Sequence, residues 1–238
     1  MTSKRPSDLK RLKSQDESDL SITLHTIKPE HFIICEKQER HYCGRHALRT
    51  LVQRLDLFTD EYLQEVANNL AAEEQLHRDG DFVQTLDYYI PDNGDYDIQV
   101  LRASLINLFS VDIIQIDKLA QTGCRIRNAI LSHIESIQAI LVHEDYHYYC
   151  LRRFRSSQQY VFRIDSLHPA AHKPIHQRNF INYLHCLLEC GANLYVVFHH
   201  CPGESEENIS LDTIQARLWP LPDAPADAQS FTVFDENE

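Results

Sequence analysis

The sequence predicts an α+β fold, with helices first and a mainly antiparallel sheet after them, in one domain. Three observations carry this. Apolar residues recur at helical spacing across the segments before residue 111. Beyond that point short runs rich in Val, Ile, Tyr and Phe alternate with polar turns. The 238 residues are 43% hydrophobic and 24% charged, the range of globular proteins of one or at most two domains.

In chain order, residues 1–23 are polar, charge-mixed and poor in large apolar side chains, so they read as a disordered leader. The folded unit is expected over 24–201, with a mostly disordered acidic tail at 202–238. After Cys43, Ala47, Leu48, Leu51, Val52 and Leu55 recur with helical spacing. A second helix starts after Thr59 as N-cap, with Asp60 and Glu61 in its first turn and an apolar stripe of Leu63, Val66, Ala67 and Leu70. "DIQVLRASLINLF" is a third helix, capped by Asp97. "VDIIQI" is a strand, "CRIRNAILSHI" a helix and "QAILV" a strand. "HYYCLRRF" and "QYVFRID" are adjacent strands joined by "RSSQ". "NFINYLHCLLEC" is a helix with Gly191 at C′, and "NLYVVFHH" is the last strand. In the tail, "ISLDTIQARLWPLP" suits one short helix that breaks at Pro220.

Composition restricts function. A formal net charge of -12 argues against binding nucleic-acid phosphates. No apolar run approaches the length of about 18 residues that a transmembrane helix needs, so no membrane insertion is expected. The first residues lack the apolar core of a secretory signal, which makes a cytoplasmic location the expectation. Seven cysteines, an odd count, then read as reduced thiols.

The stretch "CEKQERHYCGRH", residues 35–46, admits a metal cluster, a redox pair or a nucleophile. Cys35, Cys43 and His46 are separated by seven and two residues, which is not a zinc spacing. The other cysteine and histidine groups are Cys186, Cys190, His199, His200 and Cys201, and the row His168, His172, His176. The first reads as a buried helix face followed by a strand end; the second is interrupted by Pro169 and Pro174. No C-x-x-C occurs. Neither a metal nor another cofactor is therefore expected. Cys43, by contrast, stands at the start of an apolar-periodic helix, where unpaired backbone N–H groups and the helix dipole stabilise a thiolate. Gln38, five residues upstream, can donate from its side-chain amide to an oxyanion beside the Cys43 backbone N–H. A base and an orienting group follow from the sheet. His147 starts one strand and Asp165 ends the next, so a hairpin brings the two together. A carboxylate on one imidazole nitrogen leaves the other for Cys43.

The order Gln38, Cys43, His147, Asp165 resembles the Josephin (ataxin-like) family of papain-like deubiquitinating cysteine proteases. The stretches that carry the resemblance are "EKQERHYCGRHALRTLVQ", "YDIQVLRASL", "YHYYCLRRF" and "FRIDSL", from about His31 to His199. The resemblance implies Cys43 as nucleophile, His147 as general base, Asp165 as its orienting partner and Gln38 in the oxyanion hole. It also implies a papain-like fold in which "FTDEYLQEVANNLAAEEQLHRDG" forms a projecting helical arm beside the ubiquitin cleft. The family commonly has Trp after its histidine. Here Tyr148 stands there, an aromatic that fits packing under the imidazole. Asp97 replaces a Ser, and both are good N-caps.

The expected activity is thiol-dependent hydrolysis of isopeptide or peptide bonds after the C-terminal glycine of ubiquitin, by a monomer with no cofactor. Two other readings use the same residues. One is a ubiquitin-binding pseudoenzyme with little or no turnover; the other is a protease or acyl transferase acting on a ubiquitin-like modifier. The acidic tail is reminiscent of signals read by bacterial secretion systems, which would put the protein in a host cytoplasm. No motif marks a second ubiquitin site that would set linkage preference.

Overall fold

The computed structural model describes residues 33–77, 87–90, 93–116, 132–155, 159–169, 173–202 and 216–222. The leader, most of "CRIRNAILSHI", most of the "RSSQ" turn, His172 and the greater part of the acidic tail lie outside the described residues.

Helix α1 (Cys43–Val52) begins at the proposed nucleophile, with Tyr42 as its N-cap residue. It is shorter than its apolar spacing predicts. Gln53 turns left-handed at φ 58° and ends it, so Leu55 falls in the following loop. The Gln53 side chain explains the stop, because its amide bonds the backbone of Ile34 and the Thr50 carbonyl in a buried position. Helix α2 (Asp60–His77) is capped as expected, the Thr59 hydroxyl accepting from the Tyr62 N–H. It buries Leu63, Val66, Ala67 and Ala71. Beyond Ala71 its end projects, and Leu76 is 84% exposed. Two short strands, β1 (Tyr89–Ile90) and β2 (Asp95–Tyr96), form a hairpin absent from the sequence reading. Helix α3 (Ile98–Phe109) follows, with the Asp97 carboxylate accepting from the Gln99 N–H.

The sheet comprises β3 (Val111–Ile116), β4 (Ala139–Glu144), β5 (His147–Arg153), β6 (Tyr160–Ile164), β7 (Lys173–His176) and β8 (Asn193–His199). Its order is β3-β8-β4-β5-β6-β7, and every neighbouring pair is antiparallel. Helix α4 (Gln177–Glu189) connects β7 to β8, and Gly191 follows it at φ 98°, as its C′ position predicts.

Both faces of the sheet are covered, so the central strands read as continuous apolar runs rather than alternating ones. Leu141, Cys150, Phe162, Ile164 and Val197 face α1, α2 and α3. Ile140, Val142, Leu151, Val161 and Val196 face α4. The segment 216–222, which the sequence assigns to the tail, reaches both sides: Leu218 joins the core under α4 and Leu221 the core under α1, α2 and α3. Leu218 and Leu221 are buried, and Gln138 and Leu221 exchange reciprocal hydrogen bonds of 2.7 Å each. Only Ala216 and Arg217 of this segment are helical. No helix among the described residues is long and apolar enough to cross a membrane.

Candidate active site

The site lies where the first turn of α1 meets the near ends of β5 and β6. Cys43 is buried at the start of α1. His147 is the first residue of β5, reached through a two-residue turn from Glu144. Antiparallel pairing of Cys150 with Ile164 sets the register that brings His147 and Asp165 to the same end of the sheet. The expected contact forms there: His147 Nε2 and Asp165 Oδ1 are 2.7 Å apart. With Nε2 engaged, Nδ1 is the nitrogen left for Cys43, whose side chain is close enough to act on the charge of the ring.

Charge in this cluster is strongly biased. The Asp165 carboxylate also accepts from the Leu167 N–H (3.0 Å) and from Arg163 Nη2 (3.1 Å). Burial would raise its pKa, but these bonds and the neighbouring cationic groups outweigh that and lower it to about 2. Burial would lower the His147 pKa. The hydrogen bonds and charges of Asp165 and Cys43 prevail, raising it to about 9. An imidazolium held between a thiol and a carboxylate is the arrangement that supports a thiolate.

Gln38 reaches the same place from the other side. Its backbone N–H donates to the Ser166 carbonyl at 2.8 Å, which fastens it beside the Asp165 turn. Its side-chain amide is held at both ends: Oε1 accepts from Ser166 Oγ (3.1 Å) and Nε2 donates to the Arg40 carbonyl (2.9 Å). A second set of contacts anchors the same loop to α1. His46 Nδ1 bonds Glu36 (2.8 Å), its Nε2 accepts from the Glu39 N–H (3.3 Å), and Arg49 closes on Glu36 (3.0 Å).

The structure therefore brings together all four residues singled out by sequence. It differs on Tyr148. Successive residues of a strand point to opposite faces, so Tyr148 does not lie under His147. It stacks instead on His143, with ring centroids 4.3 Å apart, and borders Gly44 of α1. Sequence reasoning missed Ser166, Arg163 and His46. His46 enters the sequence reading only as a metal ligand with the wrong spacing; its place three residues after Cys43, within one helical turn, is the signal that could have found it. The thiol of Cys35 is pushed up to about 12 by burial, so it stays protonated. Of the remaining histidine candidates, His176 caps α4 by accepting from the Arg178 N–H, and His200 faces Asp112.

A sequence model of the Josephin family matches residues 38–198, more than half of the chain. The chain belongs to the Josephin family. That membership makes it one of a family of ubiquitin-directed cysteine proteases with a papain-like fold, and the helices and antiparallel sheet described above are that fold. The match begins at Gln38 and ends one residue short of the last one of β8, so segment 216–222 lies beyond the Josephin match. Comparison with curated proteins gives no match.

Proposed function

We propose that this Josephin protein is a deubiquitinase that hydrolyses isopeptide and peptide bonds after the C-terminal glycine of ubiquitin. The observation that carries this reading is the continuous chain of thiol, imidazole and carboxylate through Cys43, His147 and Asp165, with Gln38 fastened beside it.

In this reading the Cys43 proton resides on His147 Nδ1 and the thiolate attacks the glycine carbonyl carbon. A C–S bond forms and the carbonyl π pair moves onto oxygen. The developing oxyanion is met by the Cys43 backbone N–H, one of the unpaired donors at the start of α1, and by the Gln38 amide. As the tetrahedral intermediate collapses, the C–N bond breaks and the departing lysine nitrogen takes the proton from Nδ1. Water then attacks the thioester with His147 as base. The C–S bond breaks, the carboxylate product leaves and the thiolate is restored. Asp165 keeps Nδ1 aimed at sulfur throughout and stabilises the imidazolium. The projecting end of α2 forms one side of the ubiquitin cleft. The opposite, N-terminal end of α2 is tied to α1 by Arg45, whose Nη1 bonds both Asp60 carboxylate oxygens at 2.9 and 3.0 Å.

The test is release of an amine from a ubiquitin C-terminal amide. Wild type should turn it over, and Cys43→Ala should fall to the uncatalysed background. Turnover that survives Cys43→Ala would refute the reading.

A further inference from the structure

We propose that Ser166 is a positioning residue for the oxyanion hole, holding the Gln38 amide in its donating orientation; this rests on the deubiquitinase reading above. The two ends of a glutamine amide have nearly the same shape but opposite hydrogen-bonding character. Toward an oxyanion the NH2 end stabilises and the carbonyl end repels. Which end faces the cleft, and how firmly it is held, therefore decides whether Gln38 helps or hinders.

Two contacts of opposite polarity settle the orientation. The Arg40 carbonyl can only accept, so it requires the NH2 end on its side, and Nε2 donates to it at 2.9 Å. Arg40 is itself in the left-handed region at φ 46°, part of the tight turn that leads into α1. Ser166 Oγ then takes the carbonyl end, donating to Oε1 at 3.1 Å. One hydrogen of Nε2 goes to Arg40, and the second remains for substrate. Ser166 also accepts the Gln38 backbone N–H at 2.8 Å, so it grips this residue at main chain and side chain alike. The serine is 4% exposed, which keeps bulk water from competing for its hydroxyl.

Position in the chain gives this contact its consequence. Ser166 follows Asp165 directly, and the turn they share is braced by the Leu167 N–H on the Asp165 carboxylate and the His168 N–H on the Asp165 carbonyl. One rigid turn thus aims the imidazole with one residue and the oxyanion donor with the next. The two halves of the site, one on the sheet and one on the loop before α1, are set relative to each other by a single short segment.

The test has a kinetic arm and a substrate-free arm. In hydrolysis of a ubiquitin C-terminal amide, Ser166→Ala should lower kcat about fivefold to tenfold, the value of one neutral hydrogen bond, with KM unchanged. The double variant Gln38→Ala/Ser166→Ala should be no slower than Gln38→Ala alone, because the serine acts only through the glutamine. Alkylation of Cys43 by ubiquitin bearing a C-terminal bromoethylamine displaces bromide at a saturated carbon and forms no oxyanion, so Ser166→Ala should react at the wild-type rate. Without substrate, the side-chain amide NMR signals of Gln38 should move toward those of a freely rotating glutamine in Ser166→Ala. Additive losses in the double variant, alkylation slowed in step with hydrolysis, or an unmoved Gln38 signal would each overturn the proposal. If the Gln38 signal moves and wild type neither hydrolyses nor is alkylated, the tether stands and the deubiquitinase reading falls.

Discussion

Strand β5 carries charge at both ends, and the two ends treat it differently. At its first residue, His147 shares a short contact with Asp165 through one nitrogen and leaves the other for Cys43. At its last two residues, Arg152 and Arg153 are buried among carbonyls and rings. Arg152 donates to the Pro222 carbonyl and lies over Phe154, while Arg153 donates to the Ile137 carbonyl at 3.2 Å and lies over Phe180. A guanidinium does not give up its proton at any working pH, so it suits a permanent fastening. An imidazole exchanges its proton within reach of neutrality, so it suits the end where a proton must move. The same strand is an anchor at one end and a proton carrier at the other.

The largest expected effect strikes the carrier end. Asp165→Ala should cut kcat/KM of ubiquitin-amide hydrolysis on the order of 10²- to 10⁴-fold, because the imidazole loses its aim and its counter-charge. The pH profile gives the sign. His147 sits at about 9 because Asp165 and Cys43 outweigh its burial. Wild type should therefore lose activity on the alkaline side near pH 9, and Asp165→Ala should bring that limb down. The same group contributes stability that is complete below its ordinary 6.5 and is lost as pH rises through about 9. Asp165 contributes stability present above its ordinary 3.8 and lost as pH falls through about 2. A limb that does not move in Asp165→Ala would break the distinction between the two ends.

The anchor end should respond in stability alone. Gln138 exchanges two bonds with Leu221, and its N–H bonds the Leu218 carbonyl at 3.1 Å. Gln138→Ala leaves the Leu221 N–H and carbonyl buried without partners, a loss of about 3 kcal/mol, or roughly 6–12 °C in Tm. Calorimetry should show that drop while the alkaline limb stays near pH 9. A shifted limb would mean the two ends are coupled along the strand.

The smallest effect lies beside His147, at the turn between β4 and β5. Asp145 and Tyr146 have φ of 50° and 62°, the backbone of a type I′ turn in which glycine is favoured at the second position. The Tyr146 ring is 95% exposed and contributes no packing. Tyr146→Gly should therefore stabilise the protein by about 0.5–1 kcal/mol, read from chemical denaturation. A destabilised variant would show that the ring holds the turn in place.

What the sequence made legible follows from the range over which each signal acts. The caps Thr59 and Asp97, and Gly191 after α4, were readable because caps act within one helical turn. His147 and Asp165 were readable because a hairpin converts two strand termini into neighbours. Strand β7 was missed because Pro174 argues against a strand; at the sheet edge a missing N–H costs little. Ser166 and Arg163 carry no periodicity and act only through residues brought close by the fold. Segment 216–222 escaped for the same reason: Gln138 and Leu221 are 83 positions apart, and nothing local to "LWPLP" announces a partner. Tyr148 was assigned a place by analogy with tryptophan, and strand alternation put it on the other face.

The most direct test of the central claim is covalent capture by ubiquitin carrying a thiol-reactive group at its C-terminus, read by intact mass. The account predicts the addition of one ubiquitin to wild type and to Cys35→Ala, because the half-buried Cys35 thiol stays protonated, and none to Cys43→Ala. Capture that persists in Cys43→Ala, or wild type that takes up no ubiquitin, would contradict it.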